Sequence, residues 1–186
     1  MIGYAFCGSF CTFTKSFEIL ERLVMSGYEV QPIMSENAYS IDTRFWRAED
    51  FRERVEELCA RKIIHTISEA EPLGPKSPLD SLIIAPCTGN TLAKMALGVT
   101  DTAVTMAAKA HLRTDRTLVI ALASNDALSA NLKNIGTLLS RKQVYFVPMV
   151  QDDPEKKPHS LVADFSLLEE TLIKAERGLQ IRKIFV

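Results

Sequence analysis

Residues 83–94 read IIAPCTGNTLAK, and this short stretch decides the fold. An apolar run gives way to a turn of small polar residues, and a helix-forming segment follows the turn. That order is typical of a buried strand that leads into a helix in an α/β protein. Because a proline nitrogen cannot donate a hydrogen bond to a sheet, we expect the strand to end at Pro86.

Apolar runs and amphipathic patterns alternate on both sides of this stretch. Their alternation predicts an α/β protein with a mainly parallel sheet. No break in composition divides the chain, so we expect residues 1–186 to form a single domain. Prolines and a glycine between Pro72 and Pro78 predict a surface loop. The predicted strands cover residues 2–6, 29–34, 63–67, 79–85, 118–123 and 144–150, and the predicted helices cover residues 13–24, 51–59, 91–97, 102–111, 128–139 and 165–175.

The composition excludes several classes of function. With 22 basic and 23 acidic residues, the net charge of −1 gives no electrostatic reason to expect a nucleic acid or a membrane as partner. The cysteines, Cys7, Cys11, Cys59 and Cys87, have no matching cysteine or histidine pair, so we expect no bound metal. Few cysteines and no export signal at the start of the sequence favour the reducing cytoplasm.

Four turns are candidates for a binding site, because ligands of open α/β sheets sit beyond the carboxyl ends of the strands. In the turn after the first strand, Gly8 permits the close approach of a ligand. Ser9 and Thr12 offer hydroxyl groups beside the start of a helix, whose free N–H groups favour an anion such as phosphate. Simple capping of the helix is the alternative, and both interpretations also stay open for Ser35 after the second strand.

The turn in the opening stretch carries the most varied chemistry. Cys87 and Gly89 are small, so they leave room for a flat group against the backbone. Thr88, Asn90 and Thr91 supply hydroxyl and amide groups that can bind such a group. Alternatively, Asn90 or Thr91 caps the helix that follows.

The turn after the strand at residues 118–123 contains Ser124, Asn125 and Asp126, and it adds a fourth polar segment to the same edge of the sheet. Asp126 is also suited to cap the next helix, as Asp101 is suited to cap the helix that follows it. No histidine lies at a spacing that indicates a catalytic triad, so the sequence names no catalytic residue.

Residues 85–101, APCTGNTLAKMALGVTD, resemble the Pro-Ala-Ser-Ala-Asn-Thr…Lys-x-Ala-x-Gly-x-x-Asp motif of the FMN-binding flavoproteins. That superfamily includes the peptidyl-cysteine and phosphopantothenoylcysteine decarboxylases and the flavin prenyltransferases. The resemblance implies a three-layer, Rossmann-like flavoprotein fold with FMN as cofactor, whose phosphate and ribityl chain lie at the Gly8 and Ser35 turns. The residues that the resemblance implies for cofactor binding are Gly8, Ser9, Thr12, Ser35, Pro86, Cys87, Thr88, Gly89, Asn90, Thr91, Ser124 and Asn125.

Over its whole length the chain resembles the second, or B, chains of a two-subunit oxidoreductase of spore-forming bacteria. Residues 5–12 (AFCGSFCT), 32–36 (PIMSE) and 123–128 (ASNDAL) carry this resemblance. It implies a partner A chain that holds NADP, a small dicarboxylate substrate, and a place in the cytoplasm of the mother cell during sporulation. Members of the superfamily assemble as trimers or as dodecamers built from trimers, which implies a homo-oligomer.

The chain departs from its relatives at two turns. The cysteine decarboxylases carry Pro-x-Met-Asn after the strand at residues 118–123, and the prenyltransferases carry Arg-Glu-Thr-Pro there, whereas this chain has ASND. Gly89 stands where the motif has alanine, a small change that leaves flavin binding open. Arg44 and Arg47 are suited to bind the carboxylates of a substrate, or they are solvated surface charges. Three interpretations stay open: a catalytic subunit, a flavin-binding or scaffolding subunit without chemistry of its own, and an independent flavin-dependent decarboxylase.

Overall fold

The computed structural model describes residues 1–76 and 79–186 of the chain. The strands are β1 (Ile2–Phe6), β2 (Val30–Met34), β3 (Ser81–Cys87), β4 (Thr117–Ser124), β5 (Val144–Phe146), β6 (Met149–Val150) and β7 (Leu161–Ala163). They form one sheet in the order β2-β1-β3-β4-β7-β6, and β5 pairs with the first half of β4. The pairs among β1 to β5 are parallel, whereas β7 runs antiparallel to β4 and to β6. The predicted α/β fold with a mainly parallel sheet is confirmed.

Helices cover both faces of the sheet and produce three layers. They are α1 (Phe13–Met25), α2 (Glu36–Ser40), α3 (Ala48–Cys59), α4 (Ile67–Ala70), α5 (Gly89–Leu97), α6 (Ala103–Leu112), α7 (Leu132–Leu139) and α8 (Leu168–Ala175). One core joins α1, α3 and α8 to the sheet side chains of Tyr4 and Phe6. The other core joins the four helices from α4 through α7 to the sheet side chains of Ala5, Cys7 and Ile84. Neighbouring residues of one strand enter different cores because successive side chains of a strand point to opposite faces. No helix in the described ranges is both long and apolar enough to span a bilayer.

A buried series of hydrogen bonds ties the first helix to the middle of the sheet. The Tyr4 hydroxyl donates to the Ser16 carbonyl at 2.9 Å, and the Ser16 hydroxyl donates to the Ala85 carbonyl at 2.6 Å. Burial raises the pKa of the Tyr4 phenol, so this group stays neutral and can donate. Because α1 follows the turn after β1, these bonds fix that turn relative to β3.

Residues 63–67 do not form the predicted strand. Ile64 alone bridges to Ile33 of β2, and α4 follows at once. The Thr66 hydroxyl accepts the Glu69 N–H at 3.3 Å, and the Glu69 carboxylate accepts the Thr66 N–H at 3.1 Å. This capping box starts a helix at the point where the apolar pattern predicts a continuing strand.

Three other predicted boundaries change. The predicted strand at residues 144–150 is two strands, β5 and β6, with Pro148 between them, and its partner β7 was not predicted at all. The helix predicted at residues 128–139 begins only at Leu132, because residues 125–131 form turns. In the predicted proline loop, Glu71–Leu73 forms a short 3-10 helix, and Pro78 lies outside the described residues.

Candidate functional site

The first three candidate turns meet at the carboxyl edge of the sheet. The Ser35 N–H donates to the Phe6 carbonyl at 2.9 Å, which joins the ends of β2 and β1. The Cys7 N–H donates to the Pro86 carbonyl at 3.1 Å, which joins the ends of β1 and β3. Turns whose joined residues lie 29 and 79 positions apart in sequence thus form one continuous surface.

The turn after β1 is a compact loop that leads into α1. The Thr12 N–H and hydroxyl both donate to the Ser9 carbonyl, at 3.0 and 2.8 Å. The Gly8 N–H finds no acceptor among the residues that the structure describes, so it stays free for an anion. A Cβ built on Gly8 would lie 3.6 Å from the Cβ of Asn37, so this turn touches the start of α2. The turn therefore has a free backbone N–H close to the first turn of α2.

The turn after β2 is a helix cap. The Ser35 hydroxyl accepts the Ala38 N–H at 3.3 Å and caps α2. Its side chain is buried, whereas Glu36 and Asn37 on the first turn of the helix are exposed. In this structure the Ser35 hydroxyl therefore serves as a helix cap.

The turn after β3 differs from the sequence-based expectation in two ways. Pro86 does not end the strand, because β3 continues to Cys87. Thr88 caps α5, not Asn90 or Thr91, because the Thr88 hydroxyl accepts the Thr91 N–H at 3.2 Å. The Thr88 hydroxyl also donates to the Thr91 hydroxyl at 3.1 Å. The Asn90 side chain is exposed and forms no hydrogen bond with any other described residue, which leaves its amide available.

Two buried thiols lie beneath these turns. Burial raises the pKa of the Cys7 thiol to about 11, although a hydrogen bond from Thr91 opposes the shift. Burial also raises the pKa of the Cys87 thiol, and the nearby Cys7 raises it further. Both thiols are therefore neutral at physiological pH and are not poised as nucleophiles. They pack as small apolar side chains beneath the turns.

The turn after β4 is organised by Asp126. The Ser124 hydroxyl donates to Asp126 Oδ1 at 2.5 Å, and Asn131 Nδ2 donates to the same oxygen at 2.9 Å. These two hydrogen bonds lower the pKa of the Asp126 carboxyl. Asn134 Nδ2 in turn donates to Asn131 Oδ1 at 2.8 Å. The prediction that Asp126 caps a helix is wrong, because its carboxylate holds the turn itself together.

Gly89 connects the turn after β3 to the turn after β4. A Cβ built on Gly89 would overlap Ser124 Oγ, and it would lie 2.6 Å from Asn131 Nδ2 and 2.9 Å from Asp126 Oδ1. The room that we expected Gly89 to leave for a ligand is therefore filled, on its Cβ side, by the chain itself. Any flat group bound here would contact the other side of the turn.

The charged residues of the motif have structural contacts. Lys94 Nζ donates to Asp101 Oδ2 at 2.8 Å, and this bond lowers the pKa of the Asp101 carboxyl. Asp101 does not cap α6, because Thr102 does so in a capping box with Thr105. The lysine and aspartate of the motif thus fix the connection between α5 and α6.

The remaining candidates lie in other surroundings. Arg47 pairs with Glu49 at 3.4 Å and with Asp50 at 3.8 Å, and the Arg44 guanidinium lies 4.8 Å from the centre of the Phe45 ring. Both arginines are exposed, which agrees with solvated charges. Sequence reasoning missed Asn131, which directly precedes α7 and donates a hydrogen bond to Asp126.

Residues 1–166 match the model of the Flavoprotein family, so the chain belongs to the flavoprotein family. Within that family it is similar to the B chain of dipicolinate synthase of Bacillus subtilis (strain 168), with 44% identity over 185 residues that cover 100% of this chain and 92% of the relative. The predicted resemblance to such B chains is confirmed.

Solved structures support the same grouping. The crystal structure of the dipicolinate synthase B chain from Bacillus halodurans C matches with a TM-score of 0.91 and 38% identity, over 100% of this chain and 95% of that chain. AnUbiX (PadA1), in complex with FMN and dimethylallyl pyrophosphate, matches with a TM-score of 0.65 and 22% identity, over 79% of this chain and 76% of that chain. The second match concerns the fold alone.

Proposed function

We propose that this chain is the B chain of dipicolinate synthase. It would act with an A chain that holds NADP, and together they would oxidise dihydrodipicolinate to dipicolinate in the mother cell of a sporulating bacterium. The observation that carries the proposal is the match to the B. subtilis protein along the whole chain, at 44% identity. The high similarity to the B. halodurans protein supports it.

We further propose FMN as the group that the strand-end turns hold. The free Gly8 N–H at the start of the loop before α1 suits the phosphate, with Ser9, Thr12 and Ser35 beside it. The exposed amide of Asn90 suits the polar edge of the ring. When bound, FMN would supply a hydride-transfer group. The residues proposed for the remainder of the site are Pro86, Cys87, Thr88, Gly89, Thr91, Ser124 and Asn125.

A second candidate is a subunit that binds flavin or shapes the A chain's site without chemistry of its own. The observation that favours it is the state of the titratable groups near the turns. The Cys7 and Cys87 thiols have raised pKa values, and the Asp126 carboxylate is held by two hydrogen bonds. None of these three groups is poised to accept a proton near neutral pH. An independent flavin-dependent decarboxylase is the weaker alternative, because the segment after β4 differs from that of the decarboxylases.

Reconstitution separates these functions. Dipicolinate formation from dihydrodipicolinate and NADP is measured with the A chain alone, this chain alone, and both together. We expect activity only from the pair. Full activity of the A chain alone would remove the synthase assignment, and activity of this chain alone would remove the non-catalytic interpretation.

Flavin binding is tested on this chain by the visible spectrum and by titration with FMN. We expect Asn90→Ala to weaken FMN binding about tenfold, because it removes one hydrogen-bonding partner of the ring. Ser129→Ala, at an exposed position outside the proposed site, is the matched control and should bind FMN unchanged. A chain that takes up no FMN, or an Asn90→Ala variant with unchanged affinity, would contradict this part of the proposal.

We also propose that the chain forms a homo-oligomer, a trimer or a dodecamer. A dodecameric FMN-dependent UbiX-like decarboxylase from Escherichia coli O157:H7 has a similar fold, with a TM-score of 0.62 and 23% identity over 80% of each chain. The small residues of α6 do not supply free surface for such an interface, since most are buried within this chain. Analytical ultracentrifugation measures the mass, and a monomer at micromolar concentration would exclude this assembly.

A further inference from the structure

The short helix α2 lies beside the strand-end turns and brings an unused amide to them. Its second residue is Asn37, whose Cβ lies 3.6 Å from the position of a Cβ built on Gly8. The Asn37 side chain is exposed and forms no hydrogen bond with any other described residue. Its amide can therefore donate to a ligand. The position of α2 decides whether this amide reaches a ligand held at the Gly8 N–H.

α2 has little stability of its own. A helix of five residues is unstable by itself in water, because nucleation costs more free energy than one turn of hydrogen bonds returns. The Ser35 hydroxyl caps it through a bond of 3.3 Å, and among residues 36–40 only Ala38 is buried. Contacts with other elements must therefore hold α2 in place.

Three side chains from different elements form a stack at the end of α2. Arg52 of α3 donates from Nη1 to the Tyr39 carbonyl, which belongs to the helix end, where carbonyl groups lack partners within the helix. The guanidinium carbon of Arg52 also lies 4.5 Å from the centre of the Tyr39 ring. The His65 ring packs against the Tyr39 ring, with 3.9 Å between the ring centres and an angle of 6° between the planes. We call these three residues the Arg52 stack.

The two outer members of the Arg52 stack are fixed to the rest of the protein. Arg52 belongs to α3, which packs on the sheet through the buried side chain of Phe51. His65 follows Ile64, which bridges to β2, and the His65 N–H donates to Glu69 Oε2 at 3.1 Å. The stack therefore holds the end of α2 between α3 and the segment that starts α4.

We propose that Arg52 is a positioning residue for the strand-end turns, which holds the Asn37 amide beside the Gly8 N–H so that both bind the phosphate of FMN. The inference rests on the proposed function and adds Asn37 to the residues that contact the phosphate. Arg52 acts through α2, to which its guanidinium binds. A helix cap without this role would stabilise α2 and leave the ligand preference of the turns unchanged.

Fluorescence titration of the purified chain with FMN and with riboflavin tests the inference. Riboflavin has the ring and the ribityl chain of FMN but no phosphate. Arg52→Met should weaken FMN binding about five- to tenfold and riboflavin binding less than about twofold, because only the phosphate contacts Asn37 and Gly8. Arg52→Lys keeps a charged donor but loses the planar group, so it should restore part of the FMN affinity. Should Arg52→Met fail to fold, Arg52→Lys supplies the same comparison with a smaller expected change.

A second substitution and a matched control locate the effect. Asn37→Ala should weaken FMN binding as much as Arg52→Met does, and the double variant should lose no more than either single variant, because Arg52 acts through Asn37. Arg54→Met is the matched control, since Arg54 is an exposed arginine of α3 whose guanidinium lies over the rings of Phe17 and Trp46. It should bind both flavins unchanged. Circular dichroism melting checks that each variant is folded.

Inorganic phosphate as a probe separates this inference from the proposed function. It is titrated into the isotope-labelled chain, and NMR follows the backbone amide signals of Gly8 and Asn37. Saturable shifts that weaken in Arg52→Met, in a chain that takes up no FMN, would overturn the FMN proposal alone. FMN uptake with an unchanged preference over riboflavin in Arg52→Met, or with additive losses in the double variant, would overturn this inference alone. Absence of both FMN uptake and phosphate-dependent shifts would overturn both.

Discussion

The turns after β1 and β2 differ from the turns after β3 and β4. In the first pair, a Cβ built on Gly8 would lie 3.6 Å from the Cβ of Asn37, an ordinary contact distance. In the second pair, a Cβ built on Gly89 would overlap Ser124 Oγ and lie 2.9 Å from Asp126 Oδ1. The first pair keeps a free N–H at its surface, whereas the second pair is closed by the chain's own side chains.

This difference links the two positions at which the chain departs from its flavoprotein relatives. Gly89 replaces the alanine of the motif, and residues 123–126 replace the segments of the decarboxylases and prenyltransferases. The two replacements touch each other in space, and an alanine at position 89 has no room beside the present turn after β4. The Gly8 and Ser35 turns, which we propose as the binding site of the flavin phosphate, lie outside this altered region.

The largest effect should come from Gly89→Ala. Its added methyl group must displace Ser124 and the buried Asn131, so we expect the free energy of unfolding to fall by about 1–3 kcal/mol. Urea unfolding measures the change. Gly8→Ala is the matched substitution in the first pair, where the nearest atom to the new Cβ is 3.5 Å away, and it should cost less than about 1 kcal/mol. Equal losses would contradict the distinction between the two pairs.

A double-mutant cycle should trace part of this loss to the contact with Ser124. Ser124→Ala removes the oxygen that the Gly89→Ala methyl group would overlap, so the double variant should be more stable than the sum of the single losses predicts. We expect a coupling of about 1 kcal/mol, again from urea unfolding. As a control, Gly136→Ala places its Cβ in open space on α7 and should show no coupling to Ser124→Ala. An additive result for Gly89 would show that the clash relaxes elsewhere.

Loss of a helix cap should have a moderate effect at both pairs of turns. Thr88→Ala leaves the Thr91 N–H without its acceptor and should cost about 1 kcal/mol. Ser35→Ala acts on the five-residue α2 through a longer bond of 3.3 Å, so we expect about half that loss. Thermal unfolding compares the two variants. A greater loss for Ser35→Ala would show that the first pair depends more on its cap than the second.

The smallest effect should be the pH-dependent contribution of Asp126. Hydrogen bonds from Ser124 and Asn131 lower the pKa of this carboxyl on folding, so it stabilises the fold above the pKa of the unfolded chain. That stability is lost as the pH falls through the lower, folded-state pKa. Asp126→Asn should therefore cost less than about 0.5 kcal/mol at pH 7, after allowance for solvent screening, and less still below about pH 3.8. Unfolding of both proteins from pH 7 to pH 3 tests this, and a constant difference would contradict it.

The sequence predicts a helix or strand correctly where its local apolar pattern matches the burial of that segment in the fold. β1 has its predicted bounds because a short apolar run, buried on both faces, leads into a polar turn. Residues 63–67 were misjudged because an isoleucine-rich segment fits a strand or a helix equally well. The spacing of Thr66 and Glu69 is a capping-box signal that favours the helix. The split at residues 144–150 also had a visible signal, since Pro148 interrupts the apolar run.

The candidate site, like the fold, could be predicted from the sequence only in part. Its location at the strand ends follows from a general rule for parallel sheets, so the four turns could be chosen from the sequence. The occupant of the space beside Gly89 could not, because Ser124 lies 35 residues further along the chain and its side chain arrives through the pairing of β3 with β4. Asn131 was missed because residues 128–139 read as one continuous helix, whereas the structure places Asn131 in a turn beside Asp126.

The contact between Gly89 and Ser124 also constrains evolutionary history. From an ancestor with alanine at this position, a turn carrying serine and aspartate in their present places would have produced an immediate clash. The reverse order, alanine to glycine first, would have left only a small void and is the permissive step. After the turn after β4 has changed, reversion of Gly89 to alanine is disfavoured, because the added methyl group would clash with Ser124. The two positions are therefore epistatic, and ancestral sequences of this branch should acquire the glycine no later than the polar turn.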